Sequence, residues 1–204
     1  MKDLKNRTLA WVDIETTGTD EDKDAILELG IVVTPMPNFD DPDYQHGWYQ
    51  GVPDLGVLAS FTRVCRPSRD VSLHNISPYV WNLHQENGLW NESMNSEDSF
   101  EDIIREGAHF MKQHQAFGSP MCGNSIHFDR RFLQAGAPDF VKLFHYRNLD
   151  VSSIKNMVNH HLGQVPPWQE PAKKPHRVLE DLHNTLEEYR YYLGCFAGGL
   201  ACPS

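Results

Sequence analysis

The spacing of apolar and polar positions divides the chain into strand-like and helix-like stretches. Leu9 to Glu15 reads as a short buried strand, with Val12 and Ile14 among its apolar residues. Ala25 to Thr34 reads as a second strand and Val57 to Arg66 as a third. Downstream the period lengthens. Phe100, Ile103, Ile104 and Met111 fall on one helical stripe, behind Ser96 as a cap and Glu97 and Asp98 in a first turn that favours acids. Pro120 to Gly123 predicts a short strand and Ile126 to Gln134 a helix following it, with Asn124 or Ser125 as its cap. Asp150 predicts a cap for a helix from Val151 to about His160. In the last helix Leu179, Leu182, Leu186, Tyr189 and Leu193 recur at helical spacing. Three early strands followed by mixed strand and helix predict an α/β layer fold, not a bundle or a sandwich. Two connections stand apart: Pro35 to Gly56, with four prolines and three glycines, and the proline-rich stretch Val165 to Pro175.

Length and composition narrow this picture. At 204 residues the chain fits one domain, 1–204, with enough length to bury a core. No apolar run approaches the roughly 20 residues of a membrane span, and the charged start from Met1 to Thr8 is no secretory signal. Cys65, Cys122, Cys195 and Cys202 form no Cys-x-x-Cys pair, which argues against a zinc site or disulfide framework and suits a reducing cytoplasm. The net charge of −10 opposes non-specific binding to long polyanions. A nucleic-acid partner then requires a local site and a small substrate, with clustered divalent metals supplying the positive charge.

Three signals carry chemistry. Asp13-Ile14-Glu15 lies inside a strand, where residues two apart share a face, so both carboxylates project together. Adjacent like charges at an apolar strand end are costly without a cation between them, and oxygen ligands suit Mg²⁺ or Mn²⁺. Alone, the same tripeptide also reads as a strand running into the Thr16-Thr17-Gly18 turn. Asp129 falls about one turn into a helix behind a glycine-bearing strand end; a solvated Asp-Arg-Arg surface is the alternative. His176 and Asp181 are five apart and cannot share a narrow helical face. With Pro175 ahead of it, His176 belongs to the loop before the helix, from which its imidazole reaches a site lined by Asp181. His183, one turn further, reads as solvent-facing.

Together, in this order, these signals resemble the DEDDh exonuclease superfamily. Trp11 to Gly18, Cys122 to Leu133, His145 to Lys155 and the closing helix through Tyr191-Tyr192 are similar to the matching segments of oligoribonucleases. The resemblance implies an RNase H-like α/β fold, a mixed five-stranded sheet flanked by helices, usually in a homodimer. It implies 3′→5′ hydrolysis of di- to pentaribonucleotides to 5′-mononucleotides. The partner would be short single-stranded RNA or, less typically, single-stranded DNA. Asp13, Glu15, Asp129 and Asp181 would hold two divalent cations, Mg²⁺ or Mn²⁺, about 3.5–4 Å apart, and His176 would act as general base. By the same resemblance Ser125, Arg147, Ser152 and Ser153 would enclose a 5′ phosphate, Tyr146 would reach the partner subunit's site, and Trp81 and His84 would stack on bases.

The chain departs from that pattern in three places. Thr19 stands where oligoribonucleases carry a leucine wedged between two bases, the 35–56 connection is long, and Trp81 lies closer to His84 than the family's tryptophan, which makes Tyr79 a second candidate. An exonuclease on longer single-stranded DNA or RNA, of proofreading type, is the alternative activity.

Overall fold

The computed structural model describes residues 8–36, 56–67, 76–161, 167–170 and 176–197. Most of the 35–56 connection and the outer parts of Val165–Pro175 lie outside them. Strands β1 (Thr8–Thr16), β2 (Ile26–Pro35), β3 (Ala59–Val64), β4 (Met121–Gly123) and β5 (Asn148–Asp150) form one sheet in the order β3-β2-β1-β4-β5. The first three are antiparallel neighbours, whereas β4 and β5 run parallel to β1. The helices are α1 (Pro78–Glu86), α2 (Leu89–Met94), α3 (Phe100–Gln113), α4 (His127–Gly136), α5 (Pro138–Val141), α6 (Val151–His161) and α7 (Val178–Ala197).

Period-two alternation along β1 and β2 feeds two cores. Ala10, Val12, Ile14, Leu29, Ile31 and Val33 pack with Ile103, Met111 and Phe132 of α3 and α4. Leu9, Trp11 and Val32 pack on the other face with Leu182, Leu186 and Tyr189 of α7. The mixed α/β sheet expected from the resemblance is therefore observed, including a fifth strand too short to stand out in the apolar pattern. Among the described residues no helix is long and apolar enough to cross a membrane.

Local signals fared unevenly. The cap of α3 is Ser99, in a reciprocal box with Asp102, and not Ser96, whose hydroxyl donates to the Val64 carbonyl. Nor do Asn124 or Ser125 cap α4, which begins without a side-chain cap. Asp150 does accept the Ser152 N–H at the start of α6. Cys65 and Cys122 are buried free thiols.

α7 lies close against the sheet because β2 offers it a glycine. A β-carbon on Gly30 would come within 2.8 Å of Val178, and Gly30 is the cross-strand partner of Asp13. The start of α7 is thereby set down directly over the acidic end of β1.

Candidate active site

The face of β1 that buries Leu9 and Trp11 under α7 goes on to present Asp13 and Glu15. Both acids line a cavity of about 230 Å³ together with His176 and Asp181. Ligand atoms of Glu15, His176 and Asp181 all lie within 4.8 Å of one another. Asp129 comes from the other side. β4 pairs with β1 only at Ala10 and Trp11, so β1 runs on past its neighbour. The Ile14 N–H donates to Asp129 Oδ1 at 3.0 Å, and Asp129 is 4% exposed. Asp13, Glu15, Asp181 and His176 thus line one cavity, and Asp129 is fastened to the same strand end, near enough that its field acts on Asp13.

Among the described residues, acid faces acid at this site. Burial, then the fields of Asp129, Glu15 and Asp181, holds the Asp13 carboxyl well above the usual range. Burial first and Asp181 second push Glu15 up to about 9. Burial raises Asp129 to about 8 despite its hydrogen bond from Ile14. Buried acids of this kind ionise comfortably only beside a cation, and hard oxygen ligands select Mg²⁺-like ions over soft metals.

His176 is held by its neighbours. Its φ of 50° is left-handed, a conformation costing about 1–3 kcal/mol that persists only where the surroundings enforce it. Asn87 Nδ2 donates to the His176 carbonyl at 2.7 Å. Arg177 donates twice to Glu28, at 2.9 Å each, and once to Glu92 at 2.9 Å. Glu28 is 2% exposed, is the β2 partner of Glu15, and also accepts from Thr62. This fifth acid is thus paired with Arg177, the residue that follows His176, and ties that turn to β2. The signal was visible: a charged residue within the apolar run Ala25–Val33 needs a partner.

The expected substrate contacts divide. Ser125, with φ 50°, and Ser152 adjoin the cavity: the Ser125 N–H donates to Asp150 Oδ1 and Ser152 Oγ, and the Ser152 hydroxyl donates to Asn124 Oδ1 at 3.1 Å. Asn124 itself lines the cavity and is fixed by its donation to buried Glu188. Ser153, Tyr146 and Arg147 are exposed, Tyr146 by 74%, with the Arg147 guanidinium over its ring. Thr19 is exposed on the β1–β2 turn, where its carbonyl accepts from Arg131. His84 is not a stacking surface. It is 1% exposed, its Nε2 lies 2.9 Å from the Thr16 carbonyl and 4.0 Å from Glu15, and burial lowers its pKa. A neutral ring so enclosed braces the strand end behind Glu15. Trp81 stands half-buried and edge-on to Trp90, while Tyr79 is 71% exposed. His183 is exposed.

Residues 54–189 match the family described as RNase_T, exonuclease, a span that holds Asp129, His176 and Asp181 but begins after Asp13 and Glu15. The oligoribonuclease of Hahella chejuensis is 35% identical over 90% of this chain and 92% of its own length. That of Photobacterium profundum is 33% identical, covering 93% and 95%, and a probable oligoribonuclease of Dictyostelium discoideum 31%, covering 92% and 90%. Among solved structures, E. coli exonuclease I with a 5cy-dA13 oligonucleotide aligns over 90% of this chain with a TM-score of 0.55 and 14% identity. The chain spans 40% of that enzyme's length. A full-length 3′-exonuclease aligns with a TM-score of 0.55 and 14% identity over 97% of this chain and 84% of its own. At such identities the structural likeness establishes the fold.

Proposed function

This chain belongs to the oligoribonuclease family of exonucleases, and from that membership we propose that it removes 5′-mononucleotides, in the 3′→5′ direction, from RNAs of two to five nucleotides. The observation that carries the reading is the meeting of Asp13, Glu15, His176 and Asp181 round one cavity, with Asp129 fastened to the same strand.

Asp13, Glu15, Asp129 and Asp181 would hold a pair of Mg²⁺ or Mn²⁺ ions; a buried set of carboxylate oxygens suits hard divalent cations. Bound there, the ions supply the positive charge a phosphoryl transfer requires and make the attacking water more acidic. His176 takes the water's proton, because its imidazole stands beside the Glu15 and Asp181 oxygens. Its strained backbone keeps that imidazole over the floor.

Substrate length is measured on the side of Asn124. Ser125, Ser152 and Ser153 offer hydroxyls, and Arg147 a guanidinium, for a terminal 5′ phosphate. A receptor closed by that phosphate leaves no exit for a longer chain. The outward stance of Tyr146 and Arg147 supports a homodimer in which each protomer completes the other's site. Thr19 takes the position between bases, with less stacking surface than a leucine would bring. His84 acts through Glu15. The net charge of −10 favours short substrates over long polyanions, in a cytoplasmic setting.

The test is turnover of 5′-labelled RNAs from 2 to 20 nucleotides with Mn²⁺. Rates should collapse beyond about five nucleotides. Comparable turnover of the 20-mer would replace this reading by the longer-chain exonuclease, and inertness toward every length would remove it.

A further inference from the structure

The serines read above as the 5′-phosphate receptor stand apart from the acids, yet one helix serves both. Asp181, Thr185 and Glu188 of α7 all line the cavity. Asp181 and Glu188 are seven positions apart, about two turns on one face and roughly 10 Å along the axis. Asp181 belongs to the acid cluster. Glu188, 3% exposed, turns instead to Asn124, the residue that follows β4. An acid so buried requires partners.

Each contact from there fixes the direction of the next. Asn124 Nδ2 donates to Glu188 Oε2 at 3.0 Å and to Thr185 Oγ1 at 3.1 Å. The other end of the carboxamide, Oδ1, accepts from the Ser152 hydroxyl at 3.1 Å. With its proton so committed, Ser152 Oγ receives the Ser125 N–H at 3.0 Å, and Ser125 is held at its left-handed φ of 50°. A hydroxyl such as that of Thr185 suits an amide presented either way round, but a carboxylate can only accept. Glu188 therefore chooses which end of Asn124 meets Ser152. Its second oxygen is occupied as well. Glu188 Oε1 accepts from the Tyr192 hydroxyl at 3.3 Å and lies 3.3 Å from Lys155 Nζ, on the helix that carries Ser152.

We propose that Glu188 is a positioning residue: through the Asn124 carboxamide it sets the Ser125–Ser152 pair that receives the 5′ phosphate, at a fixed spacing from Asp181 on the same helix. The assignment rests on the exoribonuclease reading above. Glu188 touches no reacting atom, so its effect falls on the binding of substrates that bring a 5′ phosphate.

The experiment compares pApA with ApA, which lacks the 5′ phosphate, in Mn²⁺. A hydrogen-bonded ionic group is worth roughly 10- to 150-fold. Wild-type protein should prefer pApA by a factor in that range. Glu188→Gln keeps the shape of the side chain but has only one oxygen to offer. Turned to the Lys155 ammonium, that oxygen leaves an NH₂ against Asn124 and reverses the carboxamide. The variant should lose most of the preference through a raised KM for pApA, while kcat and the turnover of ApA fall far less. Adding Asn124→Asp gives the glutamine an acceptor and returns one to Ser152. The double variant should then regain the preference that either single change loses. A role confined to packing α6 on α7 would slow both substrates alike and show no rescue. That result, or an undiminished preference in Glu188→Gln, would overturn the proposal. Were the Glu188 variants unfolded, Asn124→Ala cuts the same link and should lose the same preference; its retention would be equally fatal. Wild-type protein that cleaved both dinucleotides alike would remove the proposal and leave the exonuclease standing. Inertness toward both would instead sink the exoribonuclease reading itself.

Discussion

Asp13 and Glu15 are placed by the backbone of a single strand, whereas His176 and Asp181, across the same cavity, depend on side chains reaching in from elsewhere. On the floor, alternation along β1 aims both acids, and one hydrogen bond from Ile14 to Asp129 adds the third. On the rim, α7 is set by a glycine on β2, the turn before it is bent into a left-handed residue, and Asn87, Glu28 and Glu92 hold it from three other elements. The floor concentrates unneutralised charge; the rim neutralises its own. The acids are thus gathered where the framework is stiffest. His176 is kept where a few polar contacts decide its position.

The largest effect should come from breaking the floor. Asp13→Asn removes a ligand and is expected to lower hydrolysis by about 10³-fold or more. The same change should raise the melting temperature of the metal-free protein, because it deletes a buried like charge facing Asp129 and Glu15. A change on the rim should do the reverse, losing stability along with activity. Calorimetry in EDTA, paired with turnover in Mn²⁺, separates the two. An Asp13→Asn protein that was both active and destabilised would remove the distinction.

Breaking the rim at Arg177 should cost less. Without the guanidinium, Glu28 is left buried and unpaired and the His176 turn loses its anchor. A reacting group displaced by about 1 Å costs on the order of 10²-fold, so Arg177→Ala should lower kcat by roughly 10- to 100-fold with little change in KM. Lysine restores one contact of the fork and should recover part of the loss. Since Arg177 would act through the imidazole, adding Arg177→Ala to His176→Ala should slow turnover no further. Additive losses would show a separate role for the arginine. Glu92→Gln, at the exposed arm of the clamp, provides a milder version if the alanine protein is unstable.

The same contrast explains what the sequence made legible. The floor follows from local rules: strand period two turns Asp13 and Glu15 to one face, and an apolar run bounds the strand. His176 was placed ahead of α7 because Pro175 precedes it and it stands five positions before Asp181. Its holders were not legible, since Arg177 meets Glu28 across 149 positions and Asn87 meets His176 across 89. Glu188 was passed over because an acid beside Glu187 and Arg190 reads as part of the solvated face of an amphipathic helix. His84 was read as a surface for bases because a lone histidine on a helix gives no sign of which way it turns. Its burial comes from α1 packing against the β1–β2 turn, a tertiary fact. The caps failed for a related reason: Ser96 and Ser99 are equivalent by type, and only the reciprocal bond with Asp102 chooses between them.

The smallest effect is the one that tests the floor without altering it. In the metal-free fold Glu15 titrates near 9 and Asp129 near 8, while in the unfolded chain such groups release their protons near 4. Between those values the folded state binds more protons than the unfolded one, so raising the pH must weaken the fold. Each proton so retained costs about 1.4 kcal/mol per pH unit, a few degrees of melting temperature for a chain of this size. Melting in EDTA should therefore fall steadily from pH 6 to pH 9. Mn²⁺ binds the ionised form and should cancel that slope, stabilising the protein more at pH 9 than at pH 6. Arg177→Ala should steepen the slope, because it removes a field that lowers Glu15 and leaves Glu28 buried and unpaired, whereas Asp13→Asn should flatten it. A metal-free protein whose melting temperature held steady or rose with pH would mean that its acids are already neutralised from within, leaving no charge for cations to answer.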